Sequence, residues 1–188
     1  NSDQENKFNH KELKEVFDLC LSCKACANEC PSNVDVATLK AEFLYQYQET
    51  NGYSFRSKLF ANNAKYNKLG SKFPAITNIL TNTTLAKKIM GVATERTVPK
   101  LAKQTLNAWY QKRTEIPNKK LIYLFSDEFT NFYDAEIGKD AVTLLDKLGY
   151  TAKIIKHQES GRSYISKGFL KEAKLIANAN TTIFKDII

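Results

Sequence analysis

Apolar positions recur at helical spacing through the first 113 residues and shift to strand-length runs after them. In "KELKEVFDLC" (11–20), Leu13, Val16, Phe17 and Cys20 fall on one face, which predicts a short amphipathic helix. The segment that follows breaks this period and predicts a loop with tight turns. "PSNVDVATLKAEFLYQYQET" restores the period, with Val36, Leu39, Phe43 and Tyr47 three and four apart. Pro31 precedes its start, Asn33 and Asp35 are available as caps, and Asn51-Gly52 is the expected stop. Residues 53–113 predict helices interrupted at Gly70, Pro74, Gly91 and Pro99. The amphipathic pieces between those marks are "FRSKLFANNAKYNKL", "AITNILTNTTLAKKIM" and "LAKQTLNAWYQKR". Trp109 is expected as a structural residue packed on a neighbouring layer.

"TEIPNKK" reads as a linker, and the period changes beyond it. "LIYLF" (121–125) is a continuous apolar run of strand length, "AEIGKDAVTLLDKLGY" a helix ending at Gly149, and "TAKIIK" a second strand. "SKGFLKEAKLIANANTTIFKDII" is a second helix, or two. The order β-α-β-α calls for parallel strands joined by a crossover. The expected fold class is therefore mixed: a helical part over 1–115 and a small α/β part over 116–188.

Composition narrows the classes. Apolar residues make up 43% and charged residues 26%, ordinary for a folded protein able to bury a core without disulfides. No run of eighteen apolar residues exists, and the polar N-terminus lacks a signal-peptide core; a cytoplasmic location is expected. The absence of a starting Met, and a C-terminus of "TTIFKDII", lead us to expect an excised piece of a longer protein. The net charge of +8 is spread, with no block of five or six basic residues. Such a surface is compatible with peripheral contact with anionic lipid. No nucleic-acid motif accompanies it, so no nucleic-acid partner is expected.

All four cysteines lie in "CLSCKACANECP" (20–31), spaced Cys20-x2-Cys23-x2-Cys26-x3-Cys30 and followed by Pro31. Structural zinc sites draw on two pairs separated by a longer stretch, and His10 and His157 are not at finger spacing. Disulfides here would close only small loops and stabilise little. A redox Cys-x-x-Cys pair belongs beside a βαβ unit, not between helices. The run does match the bacterial [4Fe–4S] pattern. Two-residue gaps let a looping backbone offer three thiolates to three corners of a cubane, while small Ser22 and Ala25 permit close approach. In two-cluster ferredoxins the cysteine before the proline serves the other cluster. Either Cys20, Cys23, Cys26 and Cys30 hold one cluster, or Cys30 faces a second. Lys24, inside the loop, is placed either to raise the potential of an anionic cluster or simply to face water.

"DLCLSCKACANECPSNVDVATLKAEFLYQYQ" closely resembles the iron–sulfur region of large flavin-linked D-2-hydroxy-acid dehydrogenases. These join an FAD-binding oxidase part to a ferredoxin-like part related to the iron–sulfur subunits of glycolate oxidase and heterodisulfide reductase. The similarity continues through "FANNAKYNKLGSKFP", "VPKLAKQTLNAWY", "YLFSDEFTNFYDAEIGKDAVTLLDKLGY" and "HQESGRSYISKGFLKEAK". It implies that 1–115 is a helical ferredoxin-like domain. It implies that 116–188 is a Rossmann-like half of a cysteine-rich domain, although the Cys-Cys-Gly motifs of related subunits are absent here. It also implies that Cys20, Cys23 and Cys26 bind one cluster and Cys30 another, with FAD elsewhere in the full-length protein. The chain would then carry electrons from a flavin that oxidises a 2-hydroxy acid to an acceptor the sequence does not name. It would not be catalytic alone, and its partner would be the flavin domain of the same polypeptide or of a separate subunit. The other class is a structural or docking module with a non-cycling cluster or a zinc site.

Outside the cysteines, Asp127, Glu128 and Asp134 gather at the expected C-terminal end of the first strand, where open α/β sheets bind ligands. Helix capping, especially by Asp134, is the favoured reading. His157, Glu159 and Arg162 follow the second strand and are expected near the same edge. "SGRSYISKG" lacks Walker spacing and is weak as a phosphate loop.

Overall fold

The computed structural model describes residues 6–114, 120–185 and 187. The chain is mostly helical, with one small parallel sheet of two strands, and is therefore of mixed class. Among the described residues no helix is long and apolar enough to cross a membrane. Contacts group the chain into two compact units, Asn1–Asn62 with Gly161–Ile188, and Asn63–Ser160. This grouping follows contacts and not sequence order, so it does not coincide with the linear division at 115 and 116. Most of the expected linker "TEIPNKK" lies outside the described residues; Lys120, its last residue, already belongs to the first strand.

The first unit holds α1 (Lys11–Asp18), α2 (Ala25–Glu29), α3 (Val36–Asn51), α4 (Phe55–Ala61), α11 (Arg162–Ser166) and α12 (Leu170–Phe184). α3 starts where its cap is: the Asp35 carboxylate accepts the Thr38 N–H at 3.0 Å. It stops at Gly52, whose φ of 80° suits glycine. Its buried side runs through Ala37, Lys40, Ala41, Leu44 and Gln48, with Phe43 beside it, while Leu39 is exposed. The stripe is thus rotated from the expected Val36–Leu39–Phe43–Tyr47 line, because the small alanines admit neighbouring helices closely. Phe17 of α1 packs on Phe43 at 5.2 Å between ring centroids. Ala61, Tyr164, Phe169 and Ala173 form the core, with Tyr53 and Ile176 against it. The Tyr164 hydroxyl donates to Asn62 Oδ1 at 2.9 Å. "SGRSYISKG" is not a loop: it contains α11, whose Ser163 and Tyr164 are buried.

The second unit holds α5 (Asn63–Gly70), α6 (Pro74–Thr81), α7 (Thr84–Met90), α8 (Leu106–Tyr110), β1 (Lys120–Tyr123), α9 (Glu128–Phe132), α10 (Ala135–Lys147) and β2 (Tyr150–Lys153). β1 and β2 pair in parallel, Lys120 opposite Tyr150 through Tyr123 opposite Lys153, with α10 as the crossover. Leu106 of α8, Val142 of α10 and Ala152 of β2 are fully buried. Gly138 lets α10 sit on α8, since a Cβ there would lie 2.4 Å from Leu106 Cδ2. The sequence suggested one helical piece over "AITNILTNTTLAKKIM", but Thr83 splits it by capping α7, accepting the Ala86 N–H at 3.3 Å. Trp109 is half-buried, and the Arg113 guanidinium lies over its ring at 5.8 Å.

Two asparagines one turn apart hold the extended segment 98–101. Asn78 donates to the Leu101 carbonyl at 2.9 Å and accepts its N–H at 2.7 Å. Asn82 does the same with Val98, at 3.2 and 2.9 Å. These amides stand in for a missing strand partner. Asn78→Ala leaves both backbone groups of Leu101 unmatched and is expected to cost about 2 kcal/mol. Thermal unfolding should show a drop of roughly 4–8 °C; an unchanged midpoint would mean that water replaces the clasp at no cost.

Candidate functional site

The cysteine segment hangs between α1 and α3. The loop expected there is interrupted by α2, which begins after Lys24 in the left-handed region (φ 61°) and runs through Cys26. Ser22 (φ 55°) and Asn33 (φ 51°) take the same conformation. These three reversals fold residues 20–33 back on themselves.

Cys20, Cys26 and Cys30 are half-buried, Cys23 is exposed, and all four thiols are free. Backbone N–H groups point at the sulfurs: Ser22 on Cys20 Sγ at 3.4 Å and Val36 on Cys26 Sγ at 3.3 Å. Backbone donors of Val34, then Ser32, lower the pKa of Cys30. At Cys30 these donors favour thiolate over thiol. Among the described residues no three thiol, imidazole or carboxylate groups stand close enough to hold one metal ion. A single tetrahedral ion draws its ligands together, whereas a four-iron cluster takes one thiolate at each corner. By donor chemistry the segment fits a cluster: four free thiols, with N–H groups aimed at three of them.

Two lysines frame the loop. Lys24 Nζ pairs with Asp35 at 3.0 Å, so its charge goes largely to closing the loop on the cap of α3. Lys40 is buried at 7% exposure, and its Nζ donates to the Cys20 carbonyl at 2.5 Å. Sequence reasoning singled out Lys24 and missed Lys40; the available signal was a lysine within the apolar stripe of α3. The Thr38 backbone and side chain, with Lys24, depress the Asp35 pKa to about 2. The stability this carboxylate contributes is complete above its ordinary 3.8 and is lost as pH falls through about 2. A carboxyl-carbon NMR titration should place the Asp35 midpoint near 2, and the Asp35→Asn variant should lose that acid-side dependence.

The polar residues at the strand ends divide. Asp127, not Asp134, is the cap: its carboxylate accepts the N–H groups of Phe129 and Thr130 at 3.0 and 2.8 Å. It caps α9, a helix the sequence reading did not contain, whereas Asp134 makes no side-chain cap bond. Glu128, 3% exposed, accepts the Ser160 N–H at 2.8 Å and hydroxyl at 2.7 Å. His157 Nε2 accepts the Ser126 N–H at 3.1 Å, and its ring stacks on Phe125 at 4.0 Å. Glu128, His157 and Glu159 line one cleft of about 600 Å³ in the second unit, and Arg162 opens α11 in the first.

The chain is 30% identical over 187 residues to the D-2-hydroxyglutarate dehydrogenase of Escherichia coli K12, covering 88% of this chain and 18% of that protein. It is 29% identical over 178 residues to the D-2-hydroxyglutarate dehydrogenase of Haemophilus influenzae, covering 87% and 17%. It is 23% identical over 165 residues to one subunit of the anaerobic glycerol-3-phosphate dehydrogenase of Escherichia coli K12, covering 84% and 41%. The chain thus spans less than a fifth of the length of these two D-2-hydroxyglutarate dehydrogenases. No family model and no solved structure matches it.

Proposed function

We propose, from the premise that this chain is related to D-2-hydroxyglutarate dehydrogenases over most of its length, that it is the iron–sulfur electron-transfer region of a flavin-linked oxidoreductase. The single observation that carries the reading is the spacing Cys20-x2-Cys23-x2-Cys26-x3-Cys30-Pro31, set in a loop whose N–H groups face its sulfurs.

Cys20, Cys23 and Cys26 hold one [4Fe–4S] cluster, and Cys30 serves a second. When bound, such a cluster supplies one-electron redox chemistry. The protein's part is electrostatic and positional. Ser22 and Val36 N–H groups stabilise charge on the Cys20 and Cys26 sulfurs. Lys40 brings a buried cation to the loop. Leu19 and Leu21, 81% and 88% exposed beside Cys20, offer an apolar rim on which a partner can seat and exclude water. That partner is the flavin domain of the same polypeptide or of a separate subunit, where FAD oxidises a 2-hydroxy acid. The division into a ferredoxin-like 1–115 and a Rossmann-like half domain 116–188 belongs to the same reading, as does a cytoplasmic location.

The test is optical. The full-length protein, reconstituted anaerobically with iron and sulfide, should show broad visible absorption that bleaches on adding a 2-hydroxy acid and returns with an electron acceptor. Absorption that persists unchanged through turnover would replace this reading with that of a docking module. Zinc in place of iron on elemental analysis would overturn it altogether.

A further inference from the structure

The cleft at the strand ends is a candidate site in its own right, independent of the cysteines. Its floor is where β1 and β2 finish, the edge at which open α/β sheets take ligands. Ser126 stands directly beyond β1 and is 5% exposed, and among the described residues its Oγ has no hydrogen-bond partner. Its backbone is not free to turn away, because the Ser126 N–H is held by His157 Nε2. Asn107 Oδ1, on the same lining, is also buried without a partner among the described residues. The Asn107 backbone is likewise anchored, its N–H donating to Asn131 Oδ1 at 2.9 Å. Buried polar atoms are nearly always matched, and an orphan calls for an explanation. Here three buried atoms without a hydrogen bond among the described residues, Ser126 Oγ, Asn107 Oδ1 and Glu159 Oε2, belong to one lining, the first two held from behind.

Charge says what would match them. Lys65, Lys68 and Lys156 line the cleft against Glu128 and Glu159. Glu128 is already committed to Ser160. Burial, and then the Glu128 charge, raise the Glu159 pKa, while the Lys65 charge lowers it; with both carboxylates counted as charged, three lysines still outnumber two glutamates. The wall is therefore net positive, with one hydroxyl able to donate and one amide oxygen needing a donor. A volume of about 600 Å³ lies within the range that takes small metabolites.

We propose that this cleft binds a small hydroxylated anion, its carboxylate or phosphate facing Lys68 and Lys156 and its hydroxyl groups meeting Ser126 Oγ and Asn107 Oδ1. The reading does not depend on the electron-transfer function; it stands on the second unit alone.

Calorimetric titration of the purified chain with citrate, ribose 5-phosphate and glucose tests it. Citrate and ribose 5-phosphate separate a carboxylate ligand from a phosphate one, and glucose is the uncharged control. Binding of at least one anion without glucose is expected, and Lys68→Met should weaken it about tenfold. Ser126→Ala is the sharper variant. It removes an unmatched buried hydroxyl, so the ligand-free melting temperature should hold or rise while affinity falls about tenfold. The proposal is overturned if neither anion binds, or if glucose binds as well as they do. It is equally overturned if Ser126→Ala melts lower with unchanged affinity, which would make Ser126 a structural residue matched by water.

Discussion

If Cys26 is a cluster ligand as proposed, Cys26→Ser should strip iron from the full-length protein while leaving its helices intact. Cys26 is held from two sides. It lies inside α2, the Cys30 N–H donates to its carbonyl at 3.0 Å, and the Val36 N–H reaches its sulfur at 3.3 Å. Serine keeps the helix turn and still offers Val36 an acceptor, so the fold should persist. A hydroxyl is a poor substitute for a thiolate toward iron. Losing a mere supporting partner of a metal ligand costs 10–100-fold in affinity, so loss of the ligand itself should exceed about 100-fold. Iron content per protein, the visible absorption and far-ultraviolet circular dichroism read the three effects separately. Full iron retention would remove Cys26 from the site. Cys30→Ser supplies the contrast: if Cys30 serves a second cluster, the two variants lose different iron, and if all four thiols hold one cluster, they lose the same iron.

Gly168→Ala should be the most damaging single-methyl change in the first unit. Gly168 has φ +72°, and a Cβ there would stand 2.7 Å from Leu44 Cβ and 2.8 Å from the Leu44 carbonyl carbon. The first feature costs an alanine of order 1 kcal/mol. The second forces α3 away from the turn before α12, at a further 1–3 kcal/mol. It also threatens the bonds from Gln48 Nε2 to the Lys167 carbonyl at 2.8 Å and to the Leu44 carbonyl at 3.1 Å. A total of about 3 kcal/mol corresponds to a melting temperature lower by roughly 6–12 °C. Gly52→Ala isolates the conformational part, since Gly52 has φ +80° but nothing within 4 Å of the added Cβ. Equal losses in the two variants would show that the contact with α3 relaxes freely.

What the sequence disclosed follows from the range of the forces involved. The Asp35 cap of α3, its stop at Gly52 and the crossover helix α10 rest on local signals and stand where those signals lie, whereas Asn33 is not the cap and both strands are four residues long, each starting one residue before the run expected for it. The cysteine spacing is equally local. α9 and α11 were hidden because each is only five residues long, too short for a period to declare itself. The Asn78 and Asn82 clasp and the burial of Lys40 depend on partners 16 to 23 residues away, which one sequence does not pair. The likeness to flavin-linked D-2-hydroxy-acid dehydrogenases was legible from the cysteine segment onward, because that stretch is dictated by its chemistry more than by its packing, whereas the hydroxyglutarate of the relatives' names was not.

The pairing of Gln48 with Lys167, and of Glu49 with Lys171, bears on the order of events during synthesis. Residues 119 and 122 positions apart must meet before the cysteine-bearing unit is complete. A ribosome has released the thiols long before it has made α12, so the loop waits in solution without the helix that closes its unit. Long-range closure of this kind is slow compared with forming a helix. Four reduced thiols thus stay open to solvent and oxygen over a defined interval, until α12 has been made and its unit can close.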